Sequence, residues 1–148
     1  MPVIHFVETK ESEKSKCLCY WVEKFYLAGK KIQIVVSEHI EAQDLDYLLW
    51  VFNQRSFIPH AIGYPETDDI LTPVHILTEE SKIPDSEVLI MSRECALDFV
   101  SQFEESVNFI CMDNQDHKKQ CRNYWIEARD RGFTLKHHRY KPLGMLRN

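Results

Sequence analysis

Hydrophobic residues recur along the chain in two spacings that alternate from the N-terminus to the C-terminus. Short apolar or β-branched runs predict strands, and apolar residues three and four positions apart predict amphipathic helices. The helical spacing is clearest at Leu18, Trp21, Val22 and Phe25. Strands are predicted over residues 3–8, 31–36, 73–78, 87–91, 107–112 and 133–140, with a short extended piece over 56–62, and helices over 10–28, 37–54, 95–103 and 114–131.

Three residues mark the ends of predicted helices. Gly29 and Gly132 each follow the last apolar position of a helix, where glycine accommodates the left-handed conformation of a C-terminal cap. Asn114 precedes the last long helix and belongs to the preferred N-cap residues. Both long helices that end at these glycines therefore have defined boundaries.

Strands that alternate with helices predict an α/β fold, a three-layer sandwich with a Rossmann-like sheet and helices on both faces. The strands at 73–78 and 87–91 are joined by a polar turn without a helix, so the sheet is expected to be mostly parallel or mixed. A length of 148 residues predicts one domain over residues 1–148. The pattern does not determine the order of the strands.

The stretch at residues 45–63, LDYLLWVFNQRSFIPHAIG, begins as a helix and ends in a short connection. Trp50 lies on the flank of the apolar stripe of this helix, and Phe57 lies just beyond the helix. Two large aromatic side chains in such a place can form the wall of a surface pocket, which is our hypothesis for them. The alternative is that both are core residues, because aromatic side chains supply much of the buried area of small domains.

Composition narrows the functional classes. Hydrophobic content of 44% and charged content of 28% are ordinary for a globular protein. No apolar run approaches the roughly 18 residues that cross a bilayer, and no signal-peptide pattern opens the chain. We therefore expect a cytoplasmic protein without membrane contact. The five cysteines form no C-x-x-C pair, so we expect reduced cysteines that fill apolar space and no metal site.

Charge is distributed unevenly along the chain. The net charge is −5, but residues 115–148 carry nine basic and three acidic side chains, and residues 1–114 therefore carry −11. A basic end on an acidic protein suits an acidic partner. It suits duplex DNA poorly, because the acidic remainder would repel phosphates. A solvated helix face with a frayed terminus would produce the same distribution.

Signatures of nucleotide binding and catalysis are missing. The turn after the first strand, ETKESEK, has no glycine through which the backbone could approach a phosphate, and no GK[ST] sequence occurs. Adjacent His137 and His138 point to opposite faces of a strand. An enzyme that combines His60 with the acidic loop at Asp68-Asp69 is one alternative. A direct binder of single-stranded nucleic acid, using the basic tail and exposed tryptophans, is another. The residues favour a binding module.

Two motifs occur in order along the chain. The first is LDYLLW over residues 45–50 followed by SFIPH over 56–60, which gives an L-D…L-W, spacer, S-F-x-P-H order. The second is the basic segment at 113–133, with an R-x-x-aromatic step and a following Gly-Phe. In order, spacing and chain length the sequence resembles, over almost its whole extent, the chi subunit family of bacterial DNA polymerase III, a clamp-loader accessory protein.

The resemblance implies an α/β fold related to nucleotide-binding domains but without a nucleotide, a catalytic role, a cofactor or a metal. It implies two protein partners. One is the psi subunit, and the other is the acidic C-terminal peptide of single-stranded-DNA-binding protein, which ends in phenylalanine with a free carboxylate. An accessory helicase is a further partner that it implies in some bacteria. DNA would be contacted only indirectly.

For that peptide the residues predict a single notch. Its apolar slot and its cations are predicted to come from Trp50, Phe57, Ile110, Lys118, Arg122 and Trp125. Arg122 is the favoured partner of the carboxylate, because its planar fork can bond both oxygens. The family commonly has tyrosine at 125 and a further cation where this chain has Ile126. The psi subunit is expected on an apolar patch away from the basic helix.

Overall fold

A computed structural model describes residues 2–53, 57–66 and 71–146. Within these ranges the chain forms seven strands and four α-helices. The strands are β1 (Val3–Thr9), β2 (Ile32–Val35), β3 (His60–Ile62), β4 (Val74–Leu77), β5 (Val88–Met91), β6 (Glu105–Cys111) and β7 (Thr134–His138). The helices are α1 (Lys14–Leu27), α2 (His39–Val51), α3 (Leu97–Val100) and α4 (Gln115–Asp130).

The strands form one sheet in the order β3-β4-β2-β5-β6-β1-β7, and every neighbouring pair is parallel. Helices α1 and α2 cover one face, and α3 and α4 cover the other. The predicted α/β three-layer sandwich is confirmed. No helix in the described part of the chain is long and apolar enough to span a membrane.

A mixed sheet, which the short connection between β4 and β5 suggested, does not occur. The two strands lie on opposite sides of β2, so their connection crosses a strand and does not fold back as a hairpin. The buried side chain of Gln33 on β2 stabilises this connection through two hydrogen bonds. Its amide donates to the Ser81 carbonyl at 2.7 Å, and its amide oxygen accepts from the Ile83 N–H at 3.0 Å.

Strands β1, β2 and β5 each contribute side chains to two separate cores. On β1, Val7 packs under α1 and α2, whereas Phe6 packs under α3 and α4. On β2, Ile34 and Val35 divide in the same way. Strands buried on both faces need apolar residues at successive positions, which explains the near-continuous apolar runs in the sequence.

Element boundaries differ most where the predicted segments are short or polar. The helix predicted over 95–103 is a single turn, Leu97–Val100, and the one predicted from residue 10 begins with a 3₁₀ turn, Glu11–Glu13. The extended piece predicted over 56–62 is reduced to β3, and residue 56 lies outside the described ranges. Short helices depend on tertiary packing more than on local preference, so sequence patterns define them poorly.

The predicted caps of the two long helices are confirmed. Gly29 and Gly132 have positive φ angles of 79° and 90°. After α4, the N–H groups of Gly132 and Phe133 donate to the carbonyls of Arg129 and Ala128, which is a Schellman motif. At the other end of α4, the Asn114 side chain accepts from the His117 N–H at 3.0 Å. Helix α4 is therefore fixed at both ends.

We predict that Asn114→Ala lowers the free energy of unfolding by about 1 kcal/mol, the usual cost of losing an N-cap side chain. The substitution also removes the bond that the Asn114 amide donates to Glu11 at 2.6 Å. Urea denaturation measures the change. The matched control is Asn123→Ala at an exposed position of the same helix, where the change should stay within about 0.5 kcal/mol. Equal effects of the two substitutions would contradict the capping role.

Candidate functional site

The carboxyl ends of β1, β6 and β7 form a floor beneath the N-terminal half of α4. Parallel register places Phe6 of β1 beside Asn108 of β6 and His137 of β7, and Glu8 beside Ile110. These positions face α4, because successive side chains on a strand point to opposite faces. The floor thus combines apolar side chains with a carboxylate and an imidazole.

A pocket of about 300 Å³ lies between this floor and α4, and we call it the α4 pocket. The volume is near the lower end of small-ligand sites, which span roughly 300–1,000 Å³. Trp125 forms one wall, with its ring edge-on to buried Phe6 at a centroid distance of 4.8 Å. The lining residues are Phe6, Glu8, Ile110, Met112, Lys118, Cys121, Arg122, Trp125 and His137.

Two cations of α4 border the pocket. Lys118 and Arg122 are four residues apart, so they lie on one face of the helix. Neither side chain forms an ion pair or hydrogen bond with another described residue. Arg129 and Arg131, near the end of α4, are by contrast paired with Asp130 and Asp98. The border cations remain available to an external anion.

The one carboxylate of the lining is already bonded within the chain. His137 Nε2 donates to Glu8 Oε2 at 2.7 Å, and the Tyr140 N–H donates to Glu8 Oε1 at 2.9 Å. Both oxygens of Glu8 therefore have partners, which directs its charge toward β7 and the following turn. An anion bound at Lys118 and Arg122 meets less repulsion than it would from a free carboxylate.

Cys121 lines the same pocket but is chemically quiet. Its side chain is buried against the Phe109 carbonyl. Desolvation by burial, with a smaller contribution from the charge of Glu94, raises the pKa of the Cys121 thiol to about 12. A thiol with this pKa is protonated at neutral pH and is a poor nucleophile. The residue contributes apolar surface to the pocket.

Four of the six predicted peptide-binding residues lie together in this pocket. They are Ile110, Lys118, Arg122 and Trp125. The single notch drawn from all six is wrong, because Trp50 and Phe57 belong to α2 and to the connection before β3. That edge of the sheet is opposite to β7, and α2 covers the other face. The structure separates the predicted site into two surfaces.

The second surface is the α2 patch, which we define as Tyr47, Trp50 and Phe57. Trp50 is 45% exposed and Phe57 is 68% exposed, so the alternative that both are core residues does not hold. Their rings are in contact at a centroid distance of 5.2 Å. Tyr47 lies one helical turn before Trp50 and is also exposed. Three adjacent exposed aromatics are uncommon on a surface that has no partner.

His60 packs beneath the α2 patch, against Trp50. Its ring lies 4.3 Å from the Trp50 ring, between centroids, and its side chain is fully buried. Its two nitrogens lie 2.7 Å from the Ile58 carbonyl and 2.9 Å from the Asp46 carbonyl. Both nitrogens are thus used within the fold, which leaves none for a substrate. Asp68-Asp69, the other half of the proposed enzyme site, lies outside the described residues.

The sequence did not indicate Phe6, Glu8 or His137 as members of the site. They come from β1 and β7, and Glu8 and His137 are 129 positions apart. Only the parallel pairing of β1 with β7 brings them together. In the sequence, Glu8 and His137 are recognisable only as polar residues near the ends of predicted strands. Ligands of parallel α/β sheets bind at the carboxyl ends of the strands.

All five cysteines are buried and free, as the sequence predicted. Burial raises the thiol pKa to about 11 for Cys17 and to about 12 for Cys19 and Cys95. At pH 8 a disulfide-exchange reagent such as Ellman's reagent should react with none of them within minutes in the native protein. The same assay in guanidinium should titrate all five. Rapid reaction of a native thiol would contradict this account of the buried cysteines.

Comparisons with known proteins agree on one family. The profile of the family described as "DNA polymerase III chi subunit, HolC" matches residues 1–136. The "DNA polymerase III subunit chi" of Escherichia coli is 26% identical over 125 residues, which cover 84% of each chain. The protein of the same name from Haemophilus influenzae is 25% identical over 118 residues, covering 79% of this chain and 81% of its own. That of Pseudomonas aeruginosa is 23% identical over 128 residues, covering 86% and 87%. A profile match over residues 1–136 shows that the chain belongs to the DNA polymerase III chi subunit family.

Proposed function

We propose that the chain is a non-catalytic, cytoplasmic adaptor of the DNA polymerase III holoenzyme. It binds the acidic C-terminal peptide of single-stranded-DNA-binding protein in the α4 pocket and the psi subunit at the α2 patch, and it contacts DNA only indirectly. The observation that best supports peptide binding is that Lys118 and Arg122, two cations without an ion-pair partner among the described residues, lie beside an apolar pocket.

The α4 pocket suits the terminal phenylalanine of such a peptide. Ile110, Met112 and Trp125 supply apolar lining, and the Trp125 ring contacts the buried Phe6. Full burial of a phenylalanine side chain contributes about 1.5–3 kcal/mol. The volume of about 300 Å³ is sufficient for one aromatic side chain.

The carboxylate of the same residue would lie at the border of the pocket. Arg122 can donate two parallel hydrogen bonds to its oxygens, and Lys118 supplies a second charge one turn away. Because a free C-terminus carries its carboxylate beside the last side chain, this pocket favours a chain end over an internal phenylalanine. The acidic residues before it would add attraction that weakens with salt.

The α2 patch suits a different partner. Tyr47, Trp50 and Phe57 present exposed aromatic surface, and aromatic side chains of this kind favour an apolar protein segment over an acidic tail. The patch lies away from the basic helix, as expected for the psi subunit. An accessory helicase that used the same aromatics would compete with psi.

A direct binder of single-stranded nucleic acid remains the second candidate, because residues 115–148 are basic. Base stacking needs exposed aromatics among the cations. The more exposed Trp50 and Phe57 lie at the far edge of the sheet from Lys118 and Arg122, so base stacking on these two rings would not coincide with phosphate contacts at the two cations. This separation favours the adaptor.

We predict that Arg122→Ala weakens binding of an acidic peptide ending in phenylalanine by about 1.5–3 kcal/mol, the value of a hydrogen bond to a charged group. That corresponds to roughly a 10- to 150-fold rise in Kd. Isothermal titration calorimetry at low salt measures it.

The matched control is Arg129→Ala, which removes the same charge from the same helix outside the pocket. Its effect on Kd should stay below about threefold, the size expected for an exposed ion pair. If the two substitutions weaken binding equally, only the net charge of the helix matters and the pocket is not the site.

We predict that Trp50→Ala and Phe57→Ala each weaken binding of the psi subunit by about 2 kcal/mol or more, as aromatic anchors of an interface do. Neither substitution should change the Kd for the acidic peptide by more than about twofold, because the two surfaces are on opposite edges. Surface plasmon resonance with immobilised psi measures the first effect, and calorimetry measures the second.

Leu27→Ala serves as the control for loss of an exposed apolar side chain, since Leu27 is 70% exposed near the end of α1. It should leave both affinities unchanged. A psi interaction that tolerates both aromatic substitutions would remove the α2 patch from the proposal.

A further inference from the structure

A second cavity lies on the opposite face of β7 from the α4 pocket, and we call it the α1 groove. It has a volume of about 570 Å³. Its lining comes from α1, from the end of β7 and from the segment after β7. The residues used below are Tyr20, Trp21, Lys24, Arg139 and Lys141.

The groove and the α4 pocket are continuous around the end of β7. Both are lined by Glu8 and His137, which bond to each other across β1 and β7. β7 is the last strand of the described sheet on this side. Because the two cavities share Glu8 and His137, a chain end seated in the α4 pocket can continue past these two residues into the groove.

The groove is cationic. Lys24, Arg139 and Lys141 form no ion pair with any residue in the described ranges. Lys24 Nζ lies over the Trp21 ring at 4.5 Å from its centroid, which limits where that charge can move. His138 does not add to this positive charge at neutral pH, because burial and the adjacent His5 lower the pKa of its ring.

The carboxylates near the groove are already bonded. Glu8 accepts from His137 and Tyr140, and Glu13 accepts from the Tyr140 hydroxyl at 2.9 Å. Glu105 bonds His5 Nε2 at 2.7 Å. These hydrogen bonds hold the three carboxylates in place, and none of the three forms an ion pair with Lys24, Arg139 or Lys141. An external acidic chain can therefore supply the counter-charge of the groove cations.

We propose that the α1 groove binds the acidic residues that precede the carboxyl terminus of the partner peptide held in the α4 pocket. This inference rests on the proposed function. An extended chain covers about 3.3 Å per residue, so only residues upstream of the terminus can reach Lys24, Arg139 and Lys141 while the last residue lies in the α4 pocket. Nothing about the groove requires a particular acidic sequence. The groove thus selects for acidic character and length, whereas the α4 pocket selects for the chain end.

The test compares two peptides. A short one ends in aspartate, isoleucine, proline and phenylalanine, and a long one adds six upstream residues that include four aspartates. The groove variant is Lys24→Gln/Arg139→Gln/Lys141→Gln in the full chain. The control variant, Lys31→Gln/Arg129→Gln/Arg131→Gln, removes the same charge at exposed sites that line neither cavity.

At low salt the long peptide should bind the unmodified chain about tenfold more tightly than the short one, as three added surface ion pairs allow. The groove variant should lose that advantage and keep its affinity for the short peptide within about twofold. The control variant should keep the advantage. In NMR spectra the Trp21 indole resonance should shift with the long peptide and not with the short one.

The proposal is overturned if the groove and control variants weaken the long peptide equally, or if neither weakens it. It is also overturned if the groove variant loses affinity only for a single-stranded oligonucleotide, which would make the groove a nucleic-acid site. Failure of the proposed function is distinct, since Arg122→Ala would then leave both peptides unaffected.

Discussion

The position of β1 between β6 and β7 is the constraint on which the functional surfaces depend. Parallel pairing on both sides sets Phe6 and Glu8 in line with Ile110 and His137, and α4 closes over them through the contact between Trp125 and Phe6. Lys118 and Arg122 are thereby held above a largely apolar floor whose carboxylate, Glu8, is bonded to His137 and to the Tyr140 N–H. A cationic helix face alone would bind any anion weakly, whereas in the proposed function the apolar floor would add selectivity for a chain that ends in a large side chain.

The strand order places the two candidate binding surfaces at opposite edges of one sheet. The α4 pocket lies at the β7 edge, and the α2 patch lies at the β3 edge on the other face. The two surfaces differ in chemistry, since one combines cations with a cavity and the other presents exposed aromatics. A small domain with this arrangement can hold two partners at once without their competing. This is the physical basis of the adaptor proposal.

The spacing of residues in the sequence predicted which side chains share one face of a helix. Which elements lie next to each other depends on the strand order, which spacing does not determine. Lys118, Arg122 and Trp125 were grouped correctly because helical periodicity alone places them on one side of α4. The layers were predicted because alternating strands and helices have few solutions. Trp50 and Phe57 were assigned to the same pocket wrongly, since their elements are placed by strand pairing, which the pattern leaves open. Glu8 and His137 were missed for the same reason.

The three tryptophans provide the most direct test of the central claim, because one lies at each surface: Trp125 in the α4 pocket, Trp50 in the α2 patch and Trp21 in the α1 groove. A two-dimensional NMR titration with the short acidic peptide follows their three indole N–H signals in a single experiment. The account predicts that the Trp125 signal shifts and that the Trp50 signal stays in place. A shift at Trp50 with an unchanged Trp125 signal would contradict it.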